Sequence, residues 1–281
     1  MRFFNETPFV AAHAHSKLEP RSPFVTIAAK ATFRLVPGGV CVPLPAEEQR
    51  PILKPARYDD EFGNSLRTDS DLVAFKPRAD CLFIGSAHAP DGLPTKALVV
   101  AFGVGNMRKH LAIHGARNWV RLADGSVGMT EQSEFTEMPI REEYAHGGPR
   151  SRFNKHGVGF QEPGKEVGAR VPIAGILNLG EGQVSWNHDR PSAGFGVIPK
   201  NLQPRRGLAG TFDDEWRYRR HPLPPADFDP GFMNAARADQ QVEGFLAGDE
   251  ELYFEHLHPE HPTITSRLPG LKVRCFVNRA L

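Results

Sequence analysis

The densest set of chemistry-bearing side chains lies between Gly210 and Ala236, in the run GTFDDEWRYRRHPLPPADFDPGFMNAA. Asp213, Asp214, Glu215, Asp227 and Asp229 stand there beside Arg217, Arg219, Arg220 and His221. Two carboxyl groups at a fixed separation, one with its pKa raised, are what glycoside hydrolysis needs. The same residues support another use. The arginines can pair with the acids and fix a loop, which Pro222, Pro224 and Pro225 hold extended. Phe212, Trp216, Tyr218 and Phe228 can anchor that loop to a sheet or offer it to a partner. A proline-stiffened aromatic segment loses little entropy on binding, which suits a docking surface. Scaffold fits the composition best, docking next and catalysis last. The residues expected to act as scaffold or partner contacts are Phe212, Asp213, Trp216, Arg217, Tyr218, Arg219, Pro222, Asp227 and Phe228.

Metal chemistry has a second candidate in EHLHPEH. On a strand, His256 and His258 would project from one face, and Glu255 or Glu260 could complete a ligand set. His13 with His15, and His110 with His114, repeat the pairing. Twelve histidines produce such pairs by chance, and Pro259 and Pro262 place the last cluster in a turn. Solvated or core-satisfied histidines are the simpler expectation, and no metal or cofactor is assigned. GFQEPGKE, at 159–166, nearly matches a phosphate-binding loop, but its last position is Glu166 where the chemistry needs a hydroxyl. Pro163 and Gly168 also spoil the helix that must follow. There is no Gly-x-Ser-x-Gly elbow and no His-Glu-x-x-His helix. Cys41, Cys81 and Cys275 sit in apolar, strand-like contexts where burial is the default.

The elements that must position these groups read as strands. Val25–Leu35 alternates with period two: Val25, Ile27, Ala29, Ala31, Phe33 and Leu35 on the expected core side, Thr26, Ala28, Lys30, Thr32 and Arg34 on the other. Pro37, Gly38 and Gly39 end it, and Val40–Leu44 is a candidate hairpin partner. Asp80–Gly85, Lys96–Phe102, Lys109–His114, Trp119–Leu122, Glu251–Leu257 and Leu271–Val277 read as further strands. ALVVAF, apolar on both faces, suits a central one. Helix signals are few: a short turn from a Thr211 cap through Trp216, stopping before Pro222, and Asp239–Leu246, ended at Gly248. The 25 prolines and 27 glycines are spread along all 281 residues and work against long helices. Short strands with frequent turns predict an all-β fold, an antiparallel sandwich or barrel-like sheets with long ordered loops and a few short helices. The expected organisation is a single domain over 1–281, or two β subdomains, 1–145 and 146–281.

The bulk numbers exclude several classes. A formal net charge of +1 provides no global field for nucleic acid or an anionic membrane. Three unspaced cysteines make neither a disulfide framework nor a zinc pattern, which suits a reducing, cytoplasmic setting. The first residues lack an uninterrupted apolar stretch of the signal-peptide kind.

Several of these pieces, in this order, resemble domain-of-unknown-function family 2169. GTFDDEW is followed by PLPPADFDPGFMNAARADQQ, GDEEL and LPG. Before them come TPF at 7–9, DLVAFKPRADCLFIGSAHAP at 71–90, YAHGGP at 144–149, NKHGVGF at 154–160 and SAGFGVIPKNLQPR at 192–205. His146 departs from the family's usual aromatic there, and Lys155-His156 from its usual proline. The resemblance spans nearly the whole chain. It implies a role in bacterial type VI secretion, as an adaptor or chaperone that holds an effector toxin and helps load it on the spike protein. It assigns no catalytic residue and no cofactor. A hydrolase using the carboxylates or a histidine-bound metal, and a small-ligand-binding β-sandwich, are the alternative expectations.

Overall fold

A computed structural model describes residues 3–61, 63–182 and 185–276. Its centre is a five-stranded antiparallel sheet. The apolar run becomes β3, Ala97–Val104, which turns through Gly105 and Asn106 into β4, Met107–His114. β5, Ile176–Asn178, pairs with the outer side of β4, with Leu111 opposite Asn178. β6, Glu251–Glu255, pairs with the other side of β3, with Phe254 opposite Phe102. β7, Thr263–Arg267, closes the order β5-β4-β3-β6-β7. The run that is apolar on both faces is thus the middle strand. Strands from both sides of residue 145 share this sheet.

Val100, Phe102, Leu111, Ile113, Ile176 and Phe195 pack against one face as the buried core. Phe83, Phe102, Phe195 and Phe254 meet in tilted and edge-on pairs with centroids 5.7–6.1 Å apart. These offset geometries are the favoured ones for aromatic rings. The remaining strands form small sheets of two or three, all antiparallel except the His146–Gly147 pairing with Val158–Gly159. The fold is all-β, with long loops and short helical turns. Among the described residues, no helix is long and apolar enough to cross a membrane.

A separate two-stranded hairpin precedes the body: β1, Val10–Glu19, and β2, Ser22–Lys30, joined through Pro20 and Arg21. Here the structure corrects the sequence reading. The alternation of β2 is present, but its sides are exchanged. Thr26, Ala28 and Lys30 face the body, while Val25 and Ile27 are 37% and 38% exposed. The reason is polar partnering: the Thr26 hydroxyl donates to the Ala74 carbonyl at 2.8 Å, and Lys30 meets Asp71 at 2.7 Å. The main partner of β2 is β1 rather than Val40–Leu44. Only Val42–Pro43 forms a ladder in that segment, with Phe33–Arg34.

Other boundaries also move. Arg78–Asp80 forms a strand while 82–85 does not. Trp119–Leu122 is realised as Asn118–Arg121. Leu271–Phe276 has no ladder partner, and Val277 lies outside the described residues. The helix expected at Asp239–Leu246 is absent. Ala238–Gln240 makes one tight turn and Gln241–Glu243 a strand paired with Arg78–Asp80. The fully buried Gln240 side chain donates to the carbonyls of Cys81 and Phe195 at 2.9 and 3.0 Å, which ties this segment to the core.

Candidate interaction site

The Gly210–Ala236 segment is a folded-back loop locked by its own acids. Gly210 has φ +83°, and a Cβ there would lie 2.7 Å from Pro225 Cβ and 2.8 Å from Asp227 Oδ1. Only glycine accommodates both the left-handed backbone and that approach. The Asp227 carboxylate then accepts the Thr211 backbone N–H and the Thr211 hydroxyl, both at 2.8 Å. Those two bonds hold its pKa below the usual carboxylate value. Thr211 is therefore a strut and not a helix cap. Asp213 caps instead, accepting from the Trp216 N–H at 2.8 Å. The turn that follows, Trp216–Arg220, has widened π-type spacing and ends at His221, before Pro222 as expected.

Trp216 is the anchor of this turn. Its indole N–H donates to the Leu223 carbonyl at 2.8 Å, and its ring takes Phe212 and His221 edge-on at 4.8 and 5.3 Å. Arg220 points back to the hairpin, meeting Glu19 at 2.6 Å and the Leu18 carbonyl at 3.4 Å. Asp229 caps the next turn through the Gly231 N–H at 2.7 Å, and Phe228 packs on Phe232 at 5.7 Å. Beyond this, Asn234 Nδ2 donates to Asp80 at 2.8 Å and the Ala235 N–H donates to the same carboxylate.

What this frame leaves outside is specific. Tyr218 is 75% exposed and Phe212 is 60% exposed. Arg217 reaches over the Tyr218 ring, 5.6 Å from its centre. Arg219 and Glu215 are 3.8 Å apart, both largely in water, where such a pair contributes little. Of the residues singled out from sequence, Asp213, Trp216 and Asp227 hold the loop and Phe228 packs behind it. Phe212, Arg217, Tyr218 and Arg219 form its outer surface, with Pro222 exposed beside them.

The histidine cluster is arranged differently from the strand geometry expected of it. β6 stops at Glu255, and His256 has φ +54°, so His256 and His258 do not project from one strand face. His256 Nδ1 lies 3.0 Å from the Val99 carbonyl, and His258 Nδ1 accepts the Glu260 N–H at 3.1 Å. Among the described residues, no group of three or more His, Cys, Asp or Glu is placed to hold a metal.

The sequence reading missed the buried ionic lattice that carries the loop. Arg237 directly follows it, and its Nη2 meets Glu142 at 2.5 Å. The same guanidinium donates to the Ser192 and Gly196 carbonyls at 2.9 Å, while the Ser192 hydroxyl donates to Glu142 at 2.8 Å. Arg205 bonds Asp69 at 2.8 Å and the carbonyls of Ile198 and Phe232 at 2.6 and 3.0 Å. Arg141 joins Asp60 and Glu143 and lies 3.8 Å from the Tyr58 ring centre. Burial pushes the Glu143 carboxyl up, but bonds from Arg141 and Ser65 outweigh it and hold it low. Burial and the nearby Arg237 charge bring Lys109 down to about 8, against its bond to Asp239. Partners this far apart in sequence leave no local signal.

Two cavities bear on small-ligand binding. One, between Tyr58, Ile84, Ile140 and Arg141, has about 10 Å³, room for one water. The other is an open depression of about 300 Å³ over Gly38, Gly39, Thr265 and Arg267, whose walls carry no aromatic ring for a sugar to stack on.

The body is all-β, and the 210–236 loop on it is locked by its own side chains and tipped by exposed aromatic rings. The chain belongs to the family described as an uncharacterized protein conserved in bacteria, domain-of-unknown-function family 2169, which it matches over residues 21–281. No curated protein and no solved structure matches it.

Proposed function

We propose that the protein is a non-enzymatic adaptor or chaperone that binds a type VI secretion effector and helps load it onto the spike complex. The single observation that carries this reading is the division of labour in the 210–236 loop. Its carboxylates at Asp213, Asp227 and Asp229 are committed to backbone and hydroxyl donors within the loop. Its exposed large apolar side chains are the aromatic rings of Phe212 and Tyr218, beside Arg217. Tyrosine and arginine on a rigid support are the residue types that dominate binding energy at protein interfaces. Membership of family 2169 and the order of motifs shared with it direct the reading to secretion.

An adaptor must give its cargo up. Affinity in the range of about 10 nM to 1 µM permits release on a useful timescale, whereas picomolar binding does not. The test is co-expression of the tagged protein with each neighbouring gene product, followed by purification. A stoichiometric complex with a toxin-like neighbour is expected. Tyr218→Ala should keep the wild-type melting temperature and weaken that complex at least tenfold, because the ring is exposed. Normal binding by a folded Tyr218→Ala/Phe212→Ala variant would remove the loop from the interface. No complex with any neighbour would defeat the adaptor reading.

A further inference from the structure

The hairpin β1–β2 is the feature the loop does not account for. Its inner face rests on 71–74, and its tip is held by Arg220 on Glu19. It is therefore a braced platform, not a free arm. Its outer face carries Pro23, Val25, Ile27 and Ala29 from β2, paired across with Lys17, His15, His13 and Ala11 from β1. Phe3 covers the His13 end, ring centroids 5.0 Å apart, and leaves Val25 and Ile27 open.

Two observations say what would cover it. First, among the described residues the outer side of β2 makes no backbone hydrogen bond from Ser22 to Lys30. Pro23 inside this strand fits an outer edge, since proline has no N–H to give a ladder. An unpaired edge nine residues long is a template for another strand. Second, the charge of the outer face is one-sided. No carboxylate stands among its eight positions, Lys17 lies on it, and the only acid at the tip, Glu19, is already held by Arg220. Arg21 and Arg217 stand exposed at the tip and on the adjoining loop. A second copy of this chain would bring the same cations against these and repel.

Area argues the same way. A strand pair of this length offers a face of roughly 30 by 10 Å, on the order of 300 Å². A stable dimer needs about 800 Å² from each side. A strand added along the edge gains ladder bonds as well as the face, and at the tip it reaches the 210–236 loop where Arg220 meets Glu19.

We infer that the outer edge of β2, together with Val25 and Ile27, receives an extended segment of the cargo protein whose outward-facing side chains are apolar along Val25 and Ile27 and acidic toward the tip, beside Lys17 and Arg21. This rests on the adaptor reading and names the surface and partner chemistry for it. The braced hairpin needs no ordering when the strand arrives, and the cations orient it.

The test uses hydrogen exchange on the full-length protein, alone and in the purified complex with its neighbouring effector. Amides of residues 22–30 should slow at least tenfold in the complex. Ile27→Glu should weaken the complex at least tenfold, Lys17→Glu several-fold, and added salt should weaken the wild-type complex. Ile27→Lys separates lost apolar contact from charge reversal and should lose less than Ile27→Glu. Both sites are exposed, so wild-type melting temperatures are expected. A complex that forms but protects only other segments, or survives Ile27→Glu, overturns the strand-docking inference and leaves the adaptor reading standing. Protection of 22–30 that rises with protein concentration in the absence of effector means a second copy is the occupant, and also overturns it. Failure of the wild-type protein to form any complex removes both.

Discussion

Glu142→Ala is the sharpest probe of how the loop is carried. Among the described residues the carboxylate is the only acidic partner of Arg237, at 2.5 Å, and it also accepts the Ser192 hydroxyl. Both side chains are about nine-tenths buried. Truncation leaves a guanidinium with its charge uncompensated and the Ser192 donor without its acceptor. Breaking one side of a buried pair costs about 3–5 kcal/mol. That is a large share of the roughly 5–15 kcal/mol that holds an average domain folded. Arg237 retains carbonyl acceptors at Ser192 and Gly196, which places the expected loss near the lower end of that range. The drop in melting temperature is on the order of 10 °C. Glu142→Gln keeps an acceptor for Arg237 and loses only the charge, so about 1–2 kcal/mol is expected. Urea titration followed by tryptophan fluorescence measures both. A Glu142→Ala protein within 1 kcal/mol of wild type, roughly the value of a neutral hydrogen bond, would refute the claim that this pair secures the loop.

Three further outcomes follow from the structure. Gly210→Ala forces a Cβ against Pro225 at 2.7 Å in left-handed backbone, and should loosen the loop by about 2 kcal/mol, seen as earlier tryptic cutting after Arg217 and Arg219. Unchanged cutting would mean the loop is held elsewhere. Burial lowers the pKa of His146 and His114, so the unfolded chain takes up those protons first and stability is lost as pH falls below about 6.5. The urea midpoint should fall between pH 7 and pH 5, and His146→Gln should flatten that slope; an unaltered slope would count against a buried neutral ring. Cys41 and Cys81 are buried, burial pushes the Cys81 thiol up to about 11, and Cys275 is exposed. A thiol reagent should therefore label one cysteine in the native protein and all three in urea; fast labelling of two natively would contradict the packing.

Local pattern revealed what depends on local pattern. ALVVAF is apolar on every residue, which suits a central strand, and it is the middle one, buried on both faces from Val100 onward while Ala97 and Val99 remain exposed at its start. The prolines of the 210–236 loop suggested an extended segment, but the chain folds back there and is held by Asp213, Asp227 and Asp229. Periodicity in β2 showed that two faces alternate but not which one meets the body, because that is decided by Ala74 and Asp71, more than forty positions away. The helix drawn at Asp239–Leu246 failed for the same reason: Gln240 is fixed by the carbonyls of Cys81 and Phe195. The acids and arginines of the loop suggested pairing with each other. Arg219 does meet Glu215, in water at 3.8 Å, but Arg220 found Glu19, 201 positions away, and Asp213, Asp227 and Asp229 accept from backbone donors nearby. Histidine spacing implied one strand face, but a single positive φ at His256 removed it.

The strand order of the central sheet sets a schedule for synthesis. β3 gains β4 as soon as the turn at Gly105 leaves the ribosome, but its other neighbour, β6, is encoded about 150 residues later. At about 5–20 residues per second, the most apolar strand of the chain waits on the order of ten seconds with one edge open. The chain thus carries an open apolar edge through much of its synthesis, and a chain interrupted before Glu251 should be recovered as aggregate, not as a folded fragment.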